Sequence, residues 1–150
     1  MKYRRQLFDN VTGNIVVSSV ADADRGMIRI QSQHTVGVTI DRLESQLKQR
    51  GILVFARVDF SADAALAGLT LRPEQLLIFG NPKAGTPLLQ AAASAGLDLP
   101  FKALAWEDPE GRTWLAYNDP QYLVHRHGLA SNLSAHLAPL VPLLEAAAQR

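Results

Sequence analysis

The chain contains no cysteine, which excludes disulfide staples, thiolate nucleophiles and cysteine-ligated zinc. It also lacks an excess of either charge: 15 Lys and Arg stand against 14 Asp and Glu, a formal net charge of +1. Nucleic-acid binders draw affinity from counterion release and carry a basic excess or stripe, so no nucleic-acid partner is expected. The one basic cluster, Lys2, Arg4 and Arg5, reads as a solvated strand or terminus. No apolar run approaches the roughly 20 residues of a membrane span. After the basic start, Asp9, Asn10, Thr12, Gly13 and Asn14 occupy the place of a signal peptide's apolar core. No membrane partner is expected, and the expected location is cytoplasmic.

What is present is a globular composition. At 150 residues, 47% apolar and 19% charged, the chain fits one domain, and such a domain folds without a metal or disulfide staple. Lys2–Phe8 and Asn14–Ser18 read as a hairpin around a polar turn, followed by a small, polar linker, so residues 1–25 form an N-terminal extension. Met27–Ile30, with Val36 and Val38, alternates as a strand does. Ile40, Leu43 and Leu47 follow at helical spacing, with Thr39 as the expected N-cap and Gly51 as the stop.

Ile52–Ala56 is almost continuously apolar, as expected of a central strand buried on both faces, and Leu76–Phe79 repeats the pattern. Between them Ser61 caps a short Ala-rich helix. Thr86-Pro87 then opens a third helix that Gly96 closes. Phe101–Glu107 and Arg112–Tyr117 flank Asp108-Pro109-Glu110-Gly111, whose residue types favour a type I turn. Asp119-Pro120 starts another helix, and Pro139 and Pro142 interrupt the apolar tail. The expected fold is α/β of the α+β type, a two-layer sandwich with a mixed sheet of about five strands covered by helices. The domain occupies residues 26–150, with the N-terminal β-hairpin appended.

The stretch from Gly26 to Leu129 resembles the DUF302 family, a domain of unknown function. The resemblance rests on Phe55-Ala56-Arg57-Val58-Asp59, on Leu71-Arg72-Pro73, and on Leu76 through Leu88 with its Gly80-Asn81-Pro82-Lys83-Ala84-Gly85-Thr86 loop. It continues through Leu97–Asp108, Tyr117-Asn118-Asp119-Pro120 and Arg126-His127-Gly128. It implies a two-layer α/β sandwich and a homodimer, and no activity. The family usually carries a His directly after the Asp matching Asp59; here the position is Phe60, which withholds any acid–base or metal role built on that His.

Three constellations carry candidate chemistry. The Gly80–Thr86 segment passes from a strand to a helix, where α/β folds bind ligands and helix N-termini attract anions. Asn81, Lys83, Gly85 and Thr86 are therefore candidates for holding a small anionic metabolite. The spacing departs from the phosphate-loop pattern, and a tight turn with an N-cap accounts for the same residues. Lys102 and Trp106 share one strand face and extend the candidate ligand site. Asp59 and Glu107, each ending a strand, are candidate paired carboxylates that with Lys83 would make an acid–base enzyme; each also reads as a cap or turn residue.

His125 and His127, two residues apart, lack the four-residue spacing of a helical zinc site, and no metal or other cofactor is expected. No Gly-x-Ser-x-Gly occurs, and Ser94, Ser131 and Ser134 fall in helical or capping contexts, which speaks against a nucleophile-elbow hydrolase. The expected function is a small homodimeric ligand-binding or accessory domain, with an acid–base enzyme or a protein–protein interaction module as alternatives.

Overall fold

The computed structural model describes residues 25–150, so the hairpin expected over Lys2–Ser18 lies outside the described residues. Five strands form one sheet in the order β1-β5-β4-β3-β2. They are β1 (Met27–Ser32), β2 (Leu53–Asp59), β3 (Glu74–Gly80), β4 (Phe101–Glu107) and β5 (Thr113–Asn118). Five helices accompany them: α1 (Val36–Gln49), α2 (Phe60–Leu66), α3 (Pro82–Ala91), α4 (Pro120–Arg126) and α5 (Val141–Ala148).

Every strand pair is antiparallel, which corrects the mixed sheet expected from strand–helix alternation. A parallel pair needs a crossover helix that packs over the sheet. Helix α2 buries no residue and α3 buries only Leu88, so both segments return the chain to a neighbouring strand. Only α1 crosses the sheet, from β1 at one edge to β2 at the other. The result is the expected α+β fold.

Helix α1 does so because its apolar stripe matches the helical period. Ile40, Leu43 and Leu47 are fully buried against Leu77, Phe79, Ala103, Ala105 and Leu115 of the sheet, each burial contributing about 1.5–3 kcal/mol. Its N-cap is Thr35, whose side chain accepts from the Val38 N–H; Val36 and Val38 belong to the helix and not to a strand. Thr39, the cap expected from the sequence, is buried inside, where its hydroxyl donates to the Thr35 carbonyl (2.8 Å) and meets Ser32 Oγ at 2.7 Å.

Strand β2 is an edge and not a centre: Leu53 is 51% and Phe55 53% exposed. An apolar run by itself does not distinguish the two positions. The apolar tail packs on its own domain, with Leu137, Leu140, Leu143 and Leu144 buried in the core. The last carbonyls of α5 are covered by Arg42, whose Nε donates to Ala147 O (3.2 Å) and Nη2 to Ala146 O (3.3 Å).

Candidate functional site

Beyond the carboxyl end of β3 lies a cleft of about 420 Å³. Its walls come from four places. Helix α3 and its cap supply Asn81, Gly85, Thr86 and Leu89. The run into β4 supplies Gly96, Leu99, Pro100 and Phe101. The tail lays His136, Leu137 and Leu140 across the top, while Ile52 and Phe55 close the β2 side. Most of this lining is apolar, with Asn81, Thr86 and His136 as its polar side chains.

The local sequence explains the shape. Helix α3 starts one turn earlier than Thr86-Pro87 suggests, because Asn81-Pro82 satisfies the same cap-then-proline logic first. Asn81 Oδ1 accepts from the Lys83 N–H at 3.0 Å, and the Asn81 carbonyl accepts from the Ala84 and Gly85 amides at 2.9 Å each. Pro82 has no N–H. The amides expected to cradle an anion are thus engaged by Asn81. Gly85 leaves the wall low: a Cβ built there meets nothing within 4 Å.

Of the six residues proposed to bind ligand, Asn81, Gly85 and Thr86 line this cleft. Lys83 is exposed outside the lining. Lys102 and Trp106 sit on the sheet face opposite the buried Phe101, Ala103 and Ala105. Lys102 Nζ donates to the Pro100 carbonyl at 3.0 Å. Trp106 stands opposite Trp114 in the β4–β5 register. The alternation that grouped these two residues was right, but that face does not reach the cleft.

The acid–base set is dispersed. Asp59 pairs with Gln75 near the start of β3, whereas Lys83 follows Gly80 at its far end. Five residues of strand separate those ends, roughly 17 Å. Asp59 and Glu107 share an end but lie on β2 and β4, with β3 between them, roughly 10 Å apart by strand spacing. Asp59 Oδ1 accepts from Ser61 Oγ (2.6 Å) and the Ala62 N–H (2.9 Å), and Oδ2 accepts from Gln75 Nε2 (3.2 Å). The Ser61 hydroxyl, then the Ala62 amide, hold its carboxyl below the usual range. An acid kept ionised as the cap of α2 is the opposite of a general acid raised toward neutrality.

Sequence reasoning missed Ile52, Phe55 and the tail residues His136–Leu140 as cleft walls. The only available signal was the unexplained apolar tail, because nothing local tells which strand end it covers. It also missed the surroundings of His127, whose ring is held between Asp98 and Ser94.

Comparison with known proteins places this fold. The family model described as "Domain of unknown function DUF302" matches residues 28–147. The crystal structure of an uncharacterized conserved DUF302 protein from Bacillus stearothermophilus is similar with a TM-score of 0.68 and 24% identity, covering 82% of this chain and 95% of that one. Among curated proteins, "Fluoride-specific ion channel FluC 1" of Brucella suis biovar 1 is 49% identical over 113 residues, 74% of this chain and 44% of the relative. The protein of the same name from Brucella abortus biovar 1 is also 49% identical over 113 residues, which are 42% of its length. The chain therefore spans less than half the length of these curated relatives. The family match covers most of the described residues, and the chain belongs to the DUF302 family.

Proposed function

We propose that this domain binds a small ligand in the cleft between the start of α3 and the His136–Leu140 segment. The ligand has a mainly apolar body, and its polar end meets Asn81, Thr86 and His136 at the rim. The observation that supports this reading is a cleft of about 420 Å³ at the strand ends, within the size range of small-molecule sites and lined as such sites usually are. The anionic character expected from the sequence narrows to that polar end, since the α3 amides are engaged by Asn81.

A thermal-shift screen tests the reading with short-chain carboxylic acids, the matching alcohols and inorganic phosphate. A ligand at about 100 times its Kd adds roughly 2.7 kcal/mol, a shift of several degrees. The Gly85→Leu variant fills the open wall and abolishes the shift if the cleft is the site. No hit across the panel, or equal shifts in the variant, sinks the reading.

A second reading is favoured by the curated relatives. In them a segment similar to this chain occupies less than half of a protein named as a fluoride-specific ion channel. No helix among the described residues here is long and apolar enough to cross a membrane. We infer an accessory unit that works beside such a channel. Fluoride release from cells expressing a channel of that type, with and without this chain, measures it; identical release removes the reading. Self-association stays within the proposal, with the exposed Leu53, Phe55, Leu66 and Leu69 on and next to the β2 edge as the surface for it, and sedimentation measures it.

A further inference from the structure

Between β3 and β4, the short 3-10 turn Ala93–Leu97 presents Ser94 to solvent. Its Oγ lies 2.9 Å from His127 Nδ1, and the same ring's Nε2 lies 2.5 Å from Asp98 Oδ2. His127 is the residue that ends α4, so the turn and the helix end meet through this ring. The His127 side chain is only 5% exposed and that of Asp98 13%. Asp98 is fixed in turn by Arg126, whose Nη1 donates to both carboxylate oxygens at 3.0 Å.

The roles follow from the donors. In the tautomer whose Nε2–H donates to Asp98, Nδ1 presents its lone pair to the Ser94 hydroxyl. A base in contact with a hydroxyl, and itself oriented by a carboxylate, is the arrangement that activates a serine nucleophile. The ring is used in the reverse sense from the serine-protease pattern, with the same logic. Ser94 is flanked by Ala91, Ala92, Ala93, Ala95 and Gly96, so its immediate neighbours in the chain bring no bulky side chain to the hydroxyl.

We propose that Ser94, with His127 as base and Asp98 as the residue that positions it, is a nucleophile toward activated carboxylic or phosphonic esters. On a carboxylic ester, Ser94 Oγ forms a bond to the carbonyl carbon as its proton passes to His127 Nδ1. The bond to the leaving alcohol then breaks, and His127 returns the proton to that oxygen. Water, deprotonated by His127, releases the acid and restores Ser94. Neither Ser94 nor His127 lines the cleft, so this site and the proposed ligand site stand or fall separately.

The test is covalent. Folded wild-type protein is treated with a fluorophosphonate probe, and the adduct is located by peptide mass spectrometry. The adduct is expected on Ser94 and is lost in Ser94→Ala, whose thermal unfolding curve is recorded alongside to show that the variant stays folded. Because the chain has no cysteine, Ser94→Cys introduces a single thiol. Beside His127 that thiol is expected to react with iodoacetamide at neutral pH about tenfold faster than the thiol of the exposed Ser131→Cys control, reflecting a larger thiolate fraction. Adding His127→Gln to Ser94→Cys returns the rate to that of the control. Absence of the adduct on wild-type protein, or a thiol at position 94 no faster than at 131, overturns the proposal.

Discussion

The β4–β5 turn and the start of α3 are built from similar residues, an Asx, a proline and a glycine, yet they end in opposite states. At the turn, polar groups close on one another and on packed rings. Asp108 Oδ1 accepts from the Glu110 and Arg112 amides (3.0 and 2.9 Å), and Oδ2 accepts from Arg112 Nε (2.7 Å) and Trp114 Nε1 (2.9 Å). The Trp114 ring in turn lies under the Arg29 guanidinium at 4.8 Å. At α3, Asn81 satisfies the backbone just as fully, but the apolar wall beside it stays open as a cleft. Satisfied polar groups therefore mark neither region as functional. What separates them is apolar surface left unfilled.

That contrast can be broken from either side. The largest effect is expected from Phe101→Ala: Phe101 is 2% exposed and packs edge-on to Phe79 at 5.9 Å while lining the cleft. Truncation is expected to cost about 3–5 kcal/mol and to widen the cleft; chemical denaturation measures it.

Asp108→Asn comes next. Burial alone would raise the Asp108 carboxyl, but the Trp114 indole N–H, then the Arg112 amide and guanidinium, hold it well below the ordinary carboxylate range. A depressed folded-state value contributes stability above the unfolded pKa of about 3.9. That contribution fades as pH falls through the folded value. The variant is expected to be less stable than wild type at pH 7, with the gap closing in acid. Unfolding curves across that range check this, and a constant gap would show that the carboxylate's charge contributes nothing.

Asn81→Ala removes the α3 cap at an expected cost of about 1 kcal/mol and frees the Lys83 amide. Phosphate binding gained by this variant, and absent from wild type, would show that Asn81 alone keeps anions out. The smallest effect has the opposite sign. Gly85→Ala is expected to stabilise the helix by about 0.5–1 kcal/mol, since the added Cβ meets open space; a rise in Tm with weaker ligand binding sharpens the comparison.

How much was legible follows from how local each cause is. The α1 stripe at Ile40, Leu43 and Leu47, the Asp108–Gly111 turn and the Asp119-Pro120 helix start depend on periodicity or on adjacent residues, and each appears in the structure. The early start of α3 was also local, but Asn81-Pro82 and Thr86-Pro87 carry the same signal and only one of them begins the helix. The edge position of β2 was not local at all. Half of the candidate ligand site was readable, because Asn81, Gly85 and Thr86 lie within one short segment of the chain. The other half was not, because His136 and Leu140 arrive from about 50 residues away.

The sequence by itself determined an α+β domain of the DUF302 type, the alternating faces of its strands and the Asp119 cap of α4, since these depend on residues close along the chain. The caps expected at Thr39, Ser61 and Thr86 fell instead to Thr35, Asp59 and Asn81. Tertiary structure alone decided that the sheet is antiparallel throughout, that Lys83 is far from Asp59 and Glu107, and that Ser94, Asp98 and His127 meet. The physical reason is the same in each case. Hydrogen bonds and side-chain contacts between distant segments depend on which strand lies beside which, and here α1, packed on β2, β3, β4 and β5, carries the chain from one edge of the sheet to the other.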